Sequence, residues 1–187
     1  MILFKSQLMC VLHYDGSFEG FLTLVFETVS KKIIPENIIC SMEERKYGRQ
    51  LSLDAETFID TDLEKAFRVY RGIVAYSSRA NASMIAVAFR SSDKGKDMLI
   101  WRYLEKMFVY RSKDFFRNGL DDDVLQVHSI SKRVKQEVHR FQGFVRFQEA
   151  ETSLMVAAIE PDHDIVGLLG THFKNRFPGR EWIIFDT

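Results

Sequence analysis

From Thr61 to Gly143 the apolar residues of this chain recur throughout at three- and four-residue intervals, whereas before and after that stretch helical spacing alternates with short apolar runs bounded by turns. A chain that is helical in its middle and strand-forming at both ends is expected to fold as α+β, with helices packed on a mixed or antiparallel sheet. Inside the block, Thr61 and Glu64 form a capping-box pattern ahead of a helix that carries Leu63, Phe67, Tyr70 and Val74 to about Tyr76. Two more helices, interrupted once at Ser91 to Gly95, are expected between Met84 and Phe116 and include Trp101, Leu104, Phe108 and Phe115. Asp121, Asp122 and Asp123 place negative charge at the start of a fifth helix, where the helix dipole favours it, and Gly143 is expected to stop that helix.

The flanks read differently. Leu8 to His13 is a largely apolar run ending at the turn Tyr14-Asp15-Gly16, which predicts a buried strand. Ser17 then caps a helix with Phe18, Phe21, Leu22, Val25, Phe26 and Val29 on one face, closed by Lys31, Lys32 and Pro35. Residues 36 to 60 predict irregular structure with room for one short strand. After Gly143, Phe144 to Gln148 and Leu154 to Ile159 predict a hairpin across the polar turn Glu149 to Ser153. A helix beginning near Asp164 carries Ile165, Leu168, Leu169, His172, Phe173 and Arg176, Pro178-Gly179 ends it, and Trp182 to Phe185 is a final strand. The order is thus β-α, helical block, β-β-α-β.

At 187 residues with 46% hydrophobic composition, one domain is the default, with the helical block at about 61–143 as a candidate subdomain. Lys plus Arg and Asp plus Glu are equal at 26 each, so no global positive field captures nucleic acid at long range, and any such contact is local. Cys10 and Cys40 make neither a disulfide framework nor a zinc site and fit a reducing cytosol. The first fifteen residues lack a signal-peptide pattern, and the longest apolar runs are far too short to span a bilayer, so a cytoplasmic protein without membrane contact is expected.

Two blocks resemble a known family. Tyr14-Asp15-Gly16-Ser17-Phe18-Glu19-Gly20-Phe21-Leu22 is similar to its N-terminal motif, and His139-Arg140-Phe141-Gln142-Gly143-Phe144-Val145-Arg146-Phe147 to its central one. Further matches are Ile159-Glu160-Pro161-Asp162-His163, His172-Phe173, Arg176-Phe177-Pro178 and Trp182. The family is the uncharacterised group described as "probable DNA metabolism proteins". Its members accompany a radical-SAM protein assigned to DNA repair or are fused to a uracil-DNA-glycosylase-like domain. The resemblance implies a DNA context and a radical-SAM or glycosylase-type partner; it supplies no catalytic mechanism. Relatives commonly continue past the position of Asp186-Thr187, which implies either a shortened form or a truncated chain here.

Several side chains are candidates for chemistry, each with a plainer reading beside it. Asp15-Gly16-Ser17 lies where a strand meets a helix N-terminus, a place that attracts phosphate, but a turn plus a helix cap explains all three residues. Lys132, Arg133, Lys135, His139, Arg140 and Arg146 are the candidate nucleic-acid contacts. Lys132, Lys135 and His139 lie within i+3 and i+4 reach, making a basic stripe, and arginine's planar fork fits phosphate. The alternative is an ordinary solvated helix face diluted by Glu137 and Glu149. Glu160 and His172, with His163 or Asp186 assisting, have the residue types of an acid/base pair, hence the alternative reading as a nucleic-acid or nucleotide hydrolase. His163 and His172 are nine residues apart, about 13 Å along a helix, so one metal ion cannot take both directly and no metal is assigned. Glu160-Pro161-Asp162 also reads as a strand-to-helix turn, and His172 as a partly buried hydrogen-bonding residue. The phenylalanines read mainly as core, with at most one of Phe144 and Phe147 exposed. Catalytic triads, Cys-His pairs and Walker loops are absent from the sequence, and no cofactor is expected. The composite expectation is an accessory protein of DNA metabolism or repair that engages DNA or a DNA-modifying partner through a local basic surface. The hydrolase and a protein-interaction scaffold without DNA binding are the alternatives, and the sequence leaves the oligomeric state open.

Overall fold

The computed structural model describes residues 10–41, 55–111, 121–149 and 154–187. Strand β1 (Cys10–Tyr14) leads through Ser17 into helix α1 (Phe18–Lys31), and the Ser17 hydroxyl accepts the Gly20 N–H as its sequence position predicts. Lys32 closes α1 in the left-handed region at φ 54°, its N–H turned back onto the carbonyls of Thr28 and Val29. Strands β2 (Asn37–Cys40) and β3 (Ala55–Phe58) follow and lie on either side of β1, both parallel to it. The segment expected to be irregular therefore holds two strands. Their four-residue lengths and non-local pairing left little periodic signal. Leu8, Leu51 and Leu53 lie outside the described residues.

Helix α2 (Leu63–Tyr76) departs from expectation at both its cap and its face. Asp62, not Thr61, caps it, accepting the N–H groups of Glu64 and Lys65. Thr61 instead donates its hydroxyl to Asp15 Oδ2 at 2.7 Å, a partner 46 residues away. The buried face is Ala66, Val69 and Ile73, while Leu63, Phe67 and Tyr70 of the expected core stripe are exposed by 69%, 59% and 38%. Helices α3 (Arg79–Phe89) and α4 (Lys96–Tyr110) come next, as the interrupted pattern predicts; Phe115 and Phe116 lie outside the described residues.

Helix α5 (Asp122–Phe144) is 23 residues long and is capped by Asp121, as the acidic run suggests. It runs through Gly143, where a Cβ would meet nothing, and ends only when the Val145 N–H bonds the Phe141 carbonyl. The strand expected over 144–148 is accordingly reduced to β4 (Gln148–Glu149). Strand β5 (Met155–Ile159), helix α6 (Val166–Arg176) and strand β6 (Trp182–Asp186) complete the chain. Strand β5 pairs antiparallel with β4 and parallel with β6, giving a mixed sheet. Most of the expected turn at 149–153 lies outside the described residues.

The fold is α+β, but among the described residues the strands form two three-stranded sheets. Each end of the chain closes a strand-helix-strand crossover on itself, β1-α1-β2 and β5-α6-β6, and the helices between keep the two apart. Two hydrophobic cores result. The larger joins Leu12, Phe21 and Leu24 to Ile73, Ile85, Ile100, Leu104 and Met107, so the helical block shares its core with the first sheet. The smaller gathers Ala157, Ile159, Ile165, Leu169, Phe173 and Ile184. Helix α5 belongs to both, with Val124, Val127 and Ile130 in the larger and Val134 in the smaller. Among the described residues no helix is long and apolar enough to cross a membrane.

Candidate nucleic-acid interface

The motif around Asp15 is a structural knot. Asp15 Oδ1 accepts the Ser17 N–H at 2.8 Å and the Ser17 hydroxyl at 2.7 Å, while Oδ2 takes Thr61. Burial alone would raise the Asp15 carboxyl, but the hydrogen bonds from Ser17 and Thr61 outweigh it and hold the group below its ordinary range. Gly20 is required beside it, because a Cβ there would stand 2.2 Å from Asp15 Oδ1. The carboxylate, cap hydroxyl and threonine thus bind one another, leaving the helix N-terminus already occupied.

The Glu160-Pro161-Asp162-His163 segment makes the β5 to α6 turn and is tied to α5 and to the α3–α4 connection. Glu137, with only 5% of its side chain exposed, accepts the backbone N–H of Asp162 at 2.8 Å and of His163 at 3.0 Å. Ser92 donates its N–H to His163 Nδ1 at 3.3 Å and its hydroxyl to the Asp162 carbonyl. Arg90 reaches Asp164 at 2.6 Å. Three segments far apart in sequence therefore meet at one seam between the two cores.

Beside that seam, a shallow groove of about 1020 Å³ runs along α5, lined by His128, Lys132, Lys135, His139 and Arg140 with Met84 of α3. The spacing from 128 to 132, 135 and 139 follows one face of a helix, so these four side chains form a stripe about 16 Å long. All four are exposed, and Lys132 and Lys135 have no carboxylate partner among the described residues. Four of the six residues expected to contact nucleic acid line this groove, and His128 extends the stripe by the same i, i+4 rule. Arg140 is partly neutralised, 3.1 Å from Glu137 and 3.7 Å from Asp162. Arg133 turns instead to an ion pair with Asp93, and Arg146 donates to the carbonyls of Gly143 and Val145 at the end of α5.

The residues considered for acid/base work do not share such a setting. Glu160 is exposed and makes no hydrogen bond or ion pair among the described residues. His172 lies edge-on to Phe173, ring centroids 4.9 Å apart, with Nε2 buried and unpartnered among the described residues. His163 is held in the seam. Among the described residues no group of three or more His, Cys, Asp or Glu could hold a metal ion. Buried His13 stacks on Phe58 with its Nε2 3.9 Å from Glu56. Of the hairpin aromatics, Phe144 is 67% exposed, while Phe147 packs edge-on to Phe173, Phe177 and Trp182.

Residues 94–187 match the model of a family described as a domain of unknown function, DUF4130. That stretch contains α4, α5 with its basic stripe, and the second sheet. No curated protein and no solved structure matches the chain.

Proposed function

The chain belongs to the DUF4130 family, and from the groove along α5 we propose that it is an accessory protein of DNA metabolism that holds the DNA backbone with His128, Lys132, Lys135 and His139. The observation that carries this reading is the unpaired stripe in a groove free of lining carboxylates, on a protein whose net charge is zero. Such a stripe attracts phosphate locally and reads no sequence. Its length of about 16 Å matches roughly five steps of one DNA strand at 3.4 Å each. Two lysines with partial help from Arg140 neutralise about two or three phosphates, which corresponds to weak binding with a log–log salt slope of about −2 to −3. A grip of that strength suits a protein that presents DNA to an enzyme. The resemblance supplies the class of that enzyme, a radical-SAM or glycosylase-type partner.

Binding of a short DNA duplex, followed by fluorescence anisotropy over a salt series, tests the proposal. Lys132→Ala/Lys135→Ala is expected to flatten the slope of log affinity against log salt by about 2 units. Arg146→Ala, whose guanidinium is committed to the end of α5, serves as the control. Absence of duplex binding at low salt, or a double variant indistinguishable from wild type, defeats the reading.

A further inference from the structure

The apolar stripe that α2 turns outward is accompanied by cations and covered by no other described element. A second groove, of about 640 Å³, runs along it, lined by the aromatics Phe67, Tyr70 and Tyr76 and the arginines Arg68, Arg71 and Arg79, with no carboxylate. Its floor comes close to the helix backbone because residue 72 is glycine. A Cβ there would lie 2.7 Å from the Phe108 ring, which presses onto α2 and stands edge-on to Tyr76 with centroids 6.0 Å apart. Two of the arginines lie over rings: Arg68 Cζ is 5.0 Å from the centre of Phe26 and Arg71 Cζ 5.9 Å from that of Phe67. None of the three pairs with a carboxylate among the described residues.

A cation–π contact with a ring face does not use up the five N–H donors of a guanidinium, so phosphate can still take them. Exposed rings alone would suit an apolar peptide. Rings interleaved with unpaired guanidiniums, with no acid present, suit a ligand with flat apolar faces and an anionic edge, which is the chemistry of an unpaired nucleotide strand. We infer that the α2 groove takes single-stranded nucleic acid, with bases against Phe67 and Tyr70 and phosphates on Arg68, Arg71 and Arg79. The site is separate from the α5 groove. Helix α3 supplies Arg79 to one and Met84 to the other, and five residues of helix turn through about 140°, so the two open on different faces.

The test is anisotropy of a labelled oligothymidylate of about twelve nucleotides at low salt, a length within the site sizes of aromatic-basic grooves. Phe67→Ala/Tyr70→Ala is expected to weaken binding about tenfold or more, and Arg71→Ala/Arg79→Ala to weaken it and reduce its salt dependence. Lys132→Ala/Lys135→Ala is expected to leave it within about twofold, as for distant sites without shared partners. All four α2-groove side chains replaced are exposed, and circular dichroism verifies that the variants fold. The inference is overturned by no oligothymidylate binding by wild type, wild-type affinity in both α2-groove variants, or an equal loss in the Lys132/Lys135 variant. A concentration-dependent dimer that Phe67→Ala/Tyr70→Ala abolishes also overturns it, assigning the face to a second copy of the chain. Because duplex and single strand are read separately, failure here is distinguishable from failure of the α5 proposal.

Discussion

In the β1-α1-β2 unit the crossover helix buries seven residues, from Gly20 to Thr28, whereas in the β5-α6-β6 unit it buries two, Leu169 and Phe173. The helices also start differently: α1 has the Ser17 cap and the Asp15 knot, while α6 begins at Ile165 with no side-chain cap. The topology is shared, but the source of stability is not. The first unit is fixed by its own polar turn and by a core that continues into four further helices. The second rests on a small cluster of rings and on Glu137, which belongs to α5. A unit that borrows its anchor from a neighbouring helix is coupled to that helix, and α5 is also the helix that carries the basic stripe.

The change that tests this contrast hardest is Phe173→Ala. The Phe173 ring lies 5.1 Å from Phe147 and 6.2 Å from each of Phe177 and Trp182, so its loss empties the middle of the smaller core. A cost of about 3–5 kcal/mol is expected in urea unfolding. Hydrogen exchange should accelerate in β5 and β6 while α1 amides keep their protection. Equal loss of protection in α1 would show one cooperative body and break the comparison.

Glu137→Ala comes next and isolates the borrowed anchor. It removes two hydrogen bonds to a charged acceptor, from the part-buried N–H groups of Asp162 and His163, worth about 1.5 kcal/mol each, so a total near 3 kcal/mol is expected. Glu137→Gln keeps one acceptor oxygen and should lose roughly half as much. Exchange of the Asp162, His163 and Asp164 amides is the direct readout. If those amides stay protected in both variants, the seam is not what holds the second unit.

Gly20→Ala probes the first unit. The new methyl would gain up to about 1 kcal/mol of helix propensity. It must also displace Asp15 Oδ1, which two Ser17 groups pin in place, breaking hydrogen bonds worth about 1 kcal/mol each. A net destabilisation of about 1–2 kcal/mol is expected in thermal unfolding, smaller than at either position of the second unit. A stabilised Gly20→Ala protein would mean that the knot is slack.

How far the sequence disclosed this arrangement depended on the range of the interaction. The Ser17 cap was legible because its partner lies within three residues, and the acidic start of α5 was legible from its run of three aspartates, of which Asp121 is the cap. On α2, Leu63, Phe67 and Tyr70 recur at helical spacing, but so do Ala66, Val69 and Ile73. Periodicity cannot decide which of two apolar stripes faces a core, since that is set by α1 and α4 packing from elsewhere in the chain. The capping-box reading failed for the same reason, because Thr61 answers to Asp15. At the candidate interface, the Lys132, Lys135 and His139 stripe followed from spacing alone, and the same arithmetic reaches His128. That Arg133 faces Asp93 could not be read, because the two are 40 residues apart in sequence.

The smallest expected effect is on acid stability, and its sign follows from the knot. The Asp15 carboxyl is held below its ordinary value in the folded protein, so as pH falls the unfolded chain takes up the proton first. The contribution of Asp15 is therefore complete above the unfolded value near 3.9 and is lost progressively as pH drops through the lower folded value. Asp15→Asn removes the titration and keeps one acceptor oxygen for the Ser17 N–H. Comparing urea unfolding of wild type and Asp15→Asn, the wild-type advantage should be constant from neutral pH to about pH 5 and shrink below about pH 4. Exchange measured across the same window should place the change in α1 and the Thr61 turn, leaving β5 and β6 unaffected. An advantage that does not shrink would mean that the Asp15 hydrogen bonds survive protonation. The first unit would then owe its independence to the buried face of α1 rather than to its polar turn.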